Sequence, residues 1–428
     1  MSFPLNRLNL ARRRLVQTGG ATLVASQLPF WSVATHAQSG ATADLVAGNS
    51  DFALDLYAEL RQATDGNLLV SPYSVSLALA MVYLGAAGDT ASQMADTLGF
   101  ELDPDELASA FGELSADLEE RGTAEEDEDE GVAARGLTIA NSLWGEETFP
   151  FSDTYMEDLD ESFGAELNLV DFAEAPDEAR DEINDWVAEN TNERIEDIVP
   201  EGAITADTRL VLANAIWFAG AWRSTFEPDN TEDGDFTLLD GSTVEAPFMR
   251  QTEGYLYAEG DGFQVIELPY EGSGFAFTIL LPDDGEFEAF EESLDREALD
   301  EIVGDLEETQ VRLRMPRFTF DYDANLADTL QALGMTDAFD GNEADFSGMV
   351  EDDTPNPLVI GGVLHKAFID LNEHGTEAAA ATVVIMEATS AQEDEPIELA
   401  IDRPFVFAIR DTESGSLLFV GRVLDPSS

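Results

Sequence analysis

The strongest constraint on the fold lies near the C-terminal end, where Glu373-His-Gly-Thr-Glu-Ala-Ala-Ala-Ala-Thr382 opens onto a charge-free run. From Ala378 to Met386 the chain reads Ala-Ala-Ala-Ala-Thr-Val-Val-Ile-Met, with no charged residue, proline or glycine, although 25% of all residues are charged. Such a run must be buried or ready for burial. Val383, Val384 and Ile385 are strand formers, and the alternating positions Thr376, Ala378, Ala380 and Thr382 are small, so one face can lie over a packed core without clashing. The stretch from Glu387 to Pro396 is polar and loop-like. Alone, the run fits a strand-competent segment feeding an exposed loop, an ordinary buried strand, or a helical turn.

The surroundings narrow the choice. The chain has 428 residues, 44% of them hydrophobic, enough for one large core or two ordinary ones. Its 89 acidic and 20 basic residues give a net charge of -69, and Lys366 is the only lysine. That excess argues against nucleic acid or an anionic membrane as partner, because phosphate contacts need clustered Lys and Arg. The apolar content is far above that of a disordered acidic chain. A folded core under a carboxylate-dense surface is expected, of halophilic, haloarchaeal type, with its self-repulsion screened by salt.

No cysteine is present, which excludes disulfides, thiolate zinc sites, iron–sulfur clusters and cysteine nucleophiles. At the other end, Arg12-Arg13-Arg14-Leu15-Val16, a weakly apolar stretch and Ala34-Thr35-His36-Ala37 read as a twin-arginine-type signal over residues 1–37. Cleavage is expected after Ala37 and the location is expected to be secreted, extracellular. Gln, Pro and Ser interrupt the stretch and argue against a permanent span. The acidic run Glu125–Glu130 reads as a solvated loop. As a calcium loop it fails, since Gly131 is out of register and Leu137 stands where a bidentate carboxylate is needed.

From about residue 42 onward, helical and strand patterns follow one another without a linker, so one domain over 42–428 is expected. Helical periodicity marks 51–63 (Phe52, Leu56, Leu60), a segment from Pro72 (Val75, Leu79, Val82), 177–190 (Ile183, Trp186, Val187) and 325–334, closed by Gly334. Strand patterns mark 209–218, 263–269, 275–281, 311–320, 358–371, 404–410 and 416–422, the last two forming a hairpin around Gly415. Helices early and apolar strands late predict an α+β protein with several sheets.

Eight further strings, in order, resemble one family. Asn67-Leu-Leu-Val-Ser71-Pro-Tyr-Ser74 opens a helix, followed by Gly85-Ala-Ala-Gly-Asp-Thr90. Asn214-Ala-Ile-Trp-Phe-Ala-Gly-Ala-Trp222 is a strand ending in Trp. Leu268-Pro-Tyr270 with Leu280-Leu-Pro282, His365-Lys366, and Arg403-Pro-Phe-Val-Phe407 with Phe419-Val-Gly-Arg422 complete the set. Together with the hinge-like run, these strings are similar to the serpins over nearly the whole chain beyond residue 42. The resemblance implies a serpin fold of three β-sheets with about eight or nine helices, and an exposed reactive-centre loop over about 373–400.

It also implies a mechanism and site residues. Ser71, Ser74, Asn214 and His365 would form a polar "shutter" beneath the main sheet. Trp222 and Arg317 would stand at the "breach", with Arg317 paired to Glu373. Glu373, Gly375, Thr376, Ala378, Ala379, Ala380, Ala381 and Thr382 would be the hinge. Counting from Glu373 puts the scissile bond between Thr389 and Ser390, with Met386 and Ala388 as alternatives for the first residue. A serine protease would attack there and be trapped as a covalent ester while the hinge inserts into the sheet. None of the candidates is basic, so the implied target is subtilisin-like or elastase-like. Segment 104–120 is acidic, so no glycosaminoglycan is expected to bind. No cofactor or metal is called for, and a monomer is expected.

Two other classes fit the sequence less well. Beyond residue 37 only His365 and His374 are histidines, and no Gly-x-Ser-x-Gly, Walker loop or His-Glu-x-x-His occurs, so the chain does not read as an enzyme. A non-inhibitory serpin acting as a binding or chaperone-like module would tolerate charge, bulk or proline in the hinge. The alanines favour inhibition.

Overall fold

The structure is a computed structural model that describes residues 39–122, 136–272, 274–351, 358–376 and 395–428. Residues Ser39 to Ser428 belong to one compact unit. Among the described residues there are nine α-helices: α1 (Gly40–Ala63), α2 (Pro72–Tyr83), α3 (Gly88–Leu98), α4 (Pro104–Gly122), α5 (Asp153–Phe163), α6 (Pro176–Asn190), α7 (Phe287–Glu292), α8 (Arg296–Gly304) and α9 (Ala327–Ala332). The α2 helix starts where its sequence says it should. Ser71 caps it by accepting from the Ser74 amide at 3.3 Å, and Pro72 takes the first turn, where a missing N–H costs nothing. Most of α2 is buried on all sides, the mark of a central helix.

The strands are β1 (Leu68–Val70), β2 (Gly136–Glu146), β3 (Leu167–Val170), β4 (Leu210–Ala221), β5 (Glu232–Thr237), β6 (Thr243–Gly260), β7 (Phe263–Pro269) and β8 (Phe275–Pro282). They continue with β9 (Glu307–Pro316), β10 (Phe318–Asn325), β11 (Val363–Asn372), β12 (Gly375–Thr376), β13 (Ile397–Ala400), β14 (Phe405–Asp411) and β15 (Leu417–Val423). A six-stranded sheet runs β10-β11-β12-β4-β2-β3. The other strands join in a nine-stranded sheet. Within it β6 pairs in turn with β5, β9 and β7, so one long strand carries hydrogen bonding from a β5/β9/β13 part to a β7/β8/β14/β15/β1 part. Among the described residues, β6 is long enough to belong to both parts and joins them, so two of the three sheets expected from the resemblance run into one another.

Every position of β4 is buried, so this strand is covered on both faces, as its nearly continuous apolar run requires. Leu212, Ile216 and Phe218 enter the main core with α2 residues such as Val75 and Leu79. Val211, Ala213 and Ala215 face the other way, into a second cluster with Ile183 and Val187 of α6 and Ile195, Ile198 and Val199 beyond it.

Most strand patterns fall where expected, but the 311–320 segment is two strands. β9 ends at Pro316 and β10 begins at Phe318, in different sheets. Pro316 has no N–H to extend a ladder, and alternation alone does not reveal the change of sheet. The first helix is also longer than its apolar stripe, beginning at Gly40 behind a Ser39 cap.

Candidate functional site

The site is the seam between β11 and β4. These strands pair in parallel only from Val363↔Leu212 to Ala367↔Ile216. Above that level they part, and the short strand β12 stands between them. Thr376 is opposite Leu371 of β11 and Gly220 of β4, and Gly375 is opposite Asn372 and Ala221. Between β12 and the parallel stretch, Phe368–Asp370 and Trp217–Ala219 have no ladder partner across the seam among the described residues.

The top of the seam is built from aromatics and one ion pair. Trp222 stacks on Tyr270 with centroids 4.7 Å apart and planes 12° apart. Its indole N–H donates to the Asn372 carbonyl at 2.9 Å and its amide to the His374 carbonyl at 2.8 Å. The Tyr270 hydroxyl and Thr376 Oγ1 lie 2.6 Å apart in the interior. Gly375 sits at φ +151°, where an added Cβ would come within 1.9 Å of the Gly220 carbonyl oxygen. Only glycine can bring the chain this close to β4.

Glu373 is buried, accepts from Thr231 Oγ1 at 2.7 Å, and pairs with Arg317 at 3.6 Å. Burial pushes its carboxyl pKa up. The Thr231 hydroxyl, its own backbone N–H and Arg317 outweigh burial and hold it below the usual carboxylate value.

Lower down, below the parallel stretch's upper end, a polar row crosses the inner face of the sheet. His365 of β11 is directly opposite Asn214 of β4, which is directly opposite Asn141 of β2. His365 Nδ1 and Asn214 Oδ1 are hydrogen-bonded. Asn214 Nδ2 donates to Ser74 Oγ at 2.7 Å and also to Asn141 Oδ1. Asn141 returns a bond from Nδ2 to the Ser74 carbonyl at 3.0 Å. The Ser71 amide donates to His365 Nε2 at 3.3 Å, and Ser71 Oγ donates to the Leu418 carbonyl at 2.6 Å. With an acceptor role at Nε2, the proton belongs on Nδ1. Full burial drives the His365 pKa down to about 3, so the ring is neutral.

Ser71, Ser74, Asn214 and His365 thus meet in one hydrogen-bonded network, whereas at the top of the seam Glu373 pairs with Arg317, and Thr376 and Trp222 both contact Tyr270. Asn141 belongs to the first network and was not singled out by sequence. Its signal is only positional: it stands opposite Asn214 once the register of β2 is known. Ala378, Ala379, Ala380, Ala381, Thr382, Thr389 and Ser390 lie outside the described residues. Among the described residues, no group of three or more His, Asp and Glu could hold a metal ion, and no helix is long and apolar enough to cross a membrane.

Comparison with known proteins accords with this geometry. The family model "Serpin (serine protease inhibitor)" matches residues 47–426. The leukocyte elastase inhibitor of Bos taurus is 39% identical over 392 residues, covering 89% of this chain and 99% of that protein. An uncharacterized serpin-like protein of Methanosarcina acetivorans is 33% identical, covering 91% and 90%. Among solved structures, native protease nexin-1 with heparin superposes with a TM-score of 0.79 at 25% identity, covering 90% of this chain and all of that one. Uncleaved ovalbumin gives 0.77 at 26% identity with the same coverage. The chain belongs to the serpins, a family of serine protease inhibitors rather than of enzymes.

Proposed function

We propose that this serpin inhibits a serine endopeptidase as a suicide substrate. The observation that carries the reading is β12. Gly375 and Thr376 stand between β11 and β4 at the top of the seam, and among the described residues the edges below them have no ladder partner across it. Continued in that register, Ala378 would stand between Ile369 and Phe218, and Thr382 between His365 and Asn214. The hinge alanines are small enough for this burial.

In the first step the protease serine oxygen bonds to the scissile carbonyl carbon, for which Thr389 is the first choice. The bond to the Ser390 nitrogen breaks, and the departing amine takes up a proton. The freed strand then runs down the seam, gaining ladder hydrogen bonds on both sides. It carries the acyl-enzyme with it before water can hydrolyse the ester. In this reading Ser71, Ser74, Asn141, Asn214 and His365 are a bolt of exchangeable hydrogen bonds, and Trp222 and Arg317 frame the gateway. Neutral Met386, Ala388 and Thr389 favour a subtilisin-like or elastase-like target, a class in keeping with relatives named leukocyte elastase inhibitor. Export by a twin-arginine-type leader over residues 1–37, and action in concentrated salt, complete the proposal.

The test is incubation with subtilisin, elastase and chymotrypsin in high salt. A denaturant-resistant covalent complex with either of the first two is expected, and the released C-terminal peptide should begin at Ser390. Cleavage that yields no complex and no gain in thermal stability would sink the inhibitor reading and leave a binding or chaperone-like role.

A further inference from the structure

Three of the chain's 20 basic residues meet on one face of the large sheet, where β6, β9 and β13 lie side by side. Arg250 of β6 is directly opposite Arg314 of β9, and Thr252 is directly opposite Arg312. On the other side of β9, Ala400 of β13 stands beside Arg314 and Glu398 beside Arg312. Directly opposed residues share a face, and alternation puts Arg312 and Arg314 on the same one. Val311, Leu313 and Met315 are buried on the reverse. With Asn230, the arginines line an open cleft of about 580 Å³, the size of a small-ligand site.

Like charges set directly opposite each other destabilise a strand pair. In a chain with 89 acidic residues against 20 basic ones, two cations face to face are not a by-product of composition. The surroundings hold them there. The Arg314 guanidinium lies over the Phe248 ring, 3.6 Å from its centroid. Gly234 of β5 leaves the space, since a Cβ at that position would collide with Arg314 Nη2.

Carboxylates at the rim do not satisfy the cluster. Glu232 pairs with Arg250 at 2.7 Å, Asp402 with Arg314 at 3.6 Å, and Glu398 with Arg312. The Glu232 and Glu398 side chains are 66% and 67% exposed, so these pairs hold little. Nε of Arg250 and Nε of Arg314 are buried without a hydrogen-bond partner among the described residues. Burial and the Arg250 charge lower the Arg314 pKa against the pull of Asp402 and Asp235.

We propose that this cleft binds a small multivalent oxyanion, a carboxylate or phosphate compound, bridging Arg250, Arg312 and Arg314. A planar guanidinium takes two oxygens of such a group at once, a contact that chloride cannot make. The bound anion neutralises the opposed pair and links β6 to β9, while Glu232 and Glu398 turn to solvent at little cost. The surrounding Glu232, Asp235, Glu398 and Asp402 admit a compact anion and repel a long polyanionic chain. The inference goes beyond the inhibitory reading and does not rest on strand insertion.

The test titrates citrate and inorganic phosphate separately into the intact protein by calorimetry, in concentrated sodium chloride at neutral pH. Saturable binding of at least one is expected, with a rise in melting temperature that extra chloride of equal ionic strength does not reproduce. Binding of citrate alone would identify a carboxylate ligand, and of phosphate alone a phosphate ligand. Arg250→Gln, Arg312→Gln and Arg314→Gln should each weaken binding about tenfold, the loss of one charge-assisted two-point contact. Arg296→Gln, which removes an exposed pair with Asp51, should leave binding unchanged. No saturable binding of either anion, or binding that the cleft variants leave intact, overturns the proposal. Arg314 also braces Phe248 and Asp402, so if Arg314→Gln does not fold, the more exposed Arg312 carries the comparison.

Discussion

At the scale of single residues, His365 shows how burial selects a charge state and how the charge state holds a bond. Its folded pKa of about 3 lies below the unfolded value near 6.5. On acidification the unfolded chain binds the proton first. Stability present above pH ~6.5 is lost progressively as pH falls toward 3, by up to about 1.4 kcal/mol per pH unit. In a His365→Gln variant the amide can donate to Asn214 and accept from Ser71 without titrating. The stability gap between wild type and variant, from denaturant midpoints at fixed salt, should move against wild type between pH 7 and pH 4. Parallel curves would show that His365 does not titrate as buried.

Asn141 makes the complementary point about legibility. Ser71 and Ser74 are visible because Ser-Pro-x-Ser is a helix-start signal, and Asn214 because it sits in a distinctive apolar string. Asn141 sits in Thr138-Ile-Ala-Asn-Ser-Leu143, where nothing local marks it. Its importance comes from register with a strand about seventy residues away. Asn141→Ala leaves Ser74 and Asn214 short of partners in the interior and should cost about 1–3 kcal/mol, read as a lowered denaturant midpoint at unchanged slope.

At the scale of elements, strands were legible wherever a pattern stayed within one sheet, as at β7, β8, β14 and β15. They were not legible where one pattern served two sheets, as at 311–320, or where an exposed strand alternates weakly, as in β6. The charge-free run from Ala378 onward stands out by composition and lies outside the described residues. The seat of Gly375 and Thr376 between β11 and β4 was not legible, because it depends on two strands parting. Thr376 is buried with its hydroxyl against Tyr270, so the first inserted position is enclosed. Thr376→Arg would force a guanidinium into that space. Insertion should then lose its race with deacylation, and the variant should behave as a substrate, with many loops cleaved per protease inhibited. A cleavage-to-complex ratio equal to wild type would contradict insertion through this gap.

At the scale of the whole molecule, charge sets the working conditions. Helix α4 carries Asp105, Glu106, Glu113, Asp117, Glu119 and Glu120, and Arg121 at its end is engaged by Asp411 at 2.8 Å and Glu413 at 3.3 Å. A polyanion meets repulsion there, so heparin should leave the rate of inhibition unchanged; acceleration would require a cationic face elsewhere. The same excess acts against compactness. With 89 acids and 20 bases, folding gathers like charges that the unfolded chain holds farther apart, and exposed ion pairs such as Arg250–Glu232 and Arg296–Asp51 return little. Screening length falls from about 10 Å at 0.1 M to about 3 Å at 1 M salt, so most of the repulsion should be relieved over that interval. Thermal stability of the intact protein should rise steeply with sodium chloride below about 1 M and flatten above it if screening is the cause. A rise that continues undiminished to saturation would point instead to salting-out of apolar surface. Repeating the titration on loop-nicked protein separates the two scales. Nicking leaves the residues and their charges in place, so the shape of the salt response should persist while the whole curve moves to higher temperature.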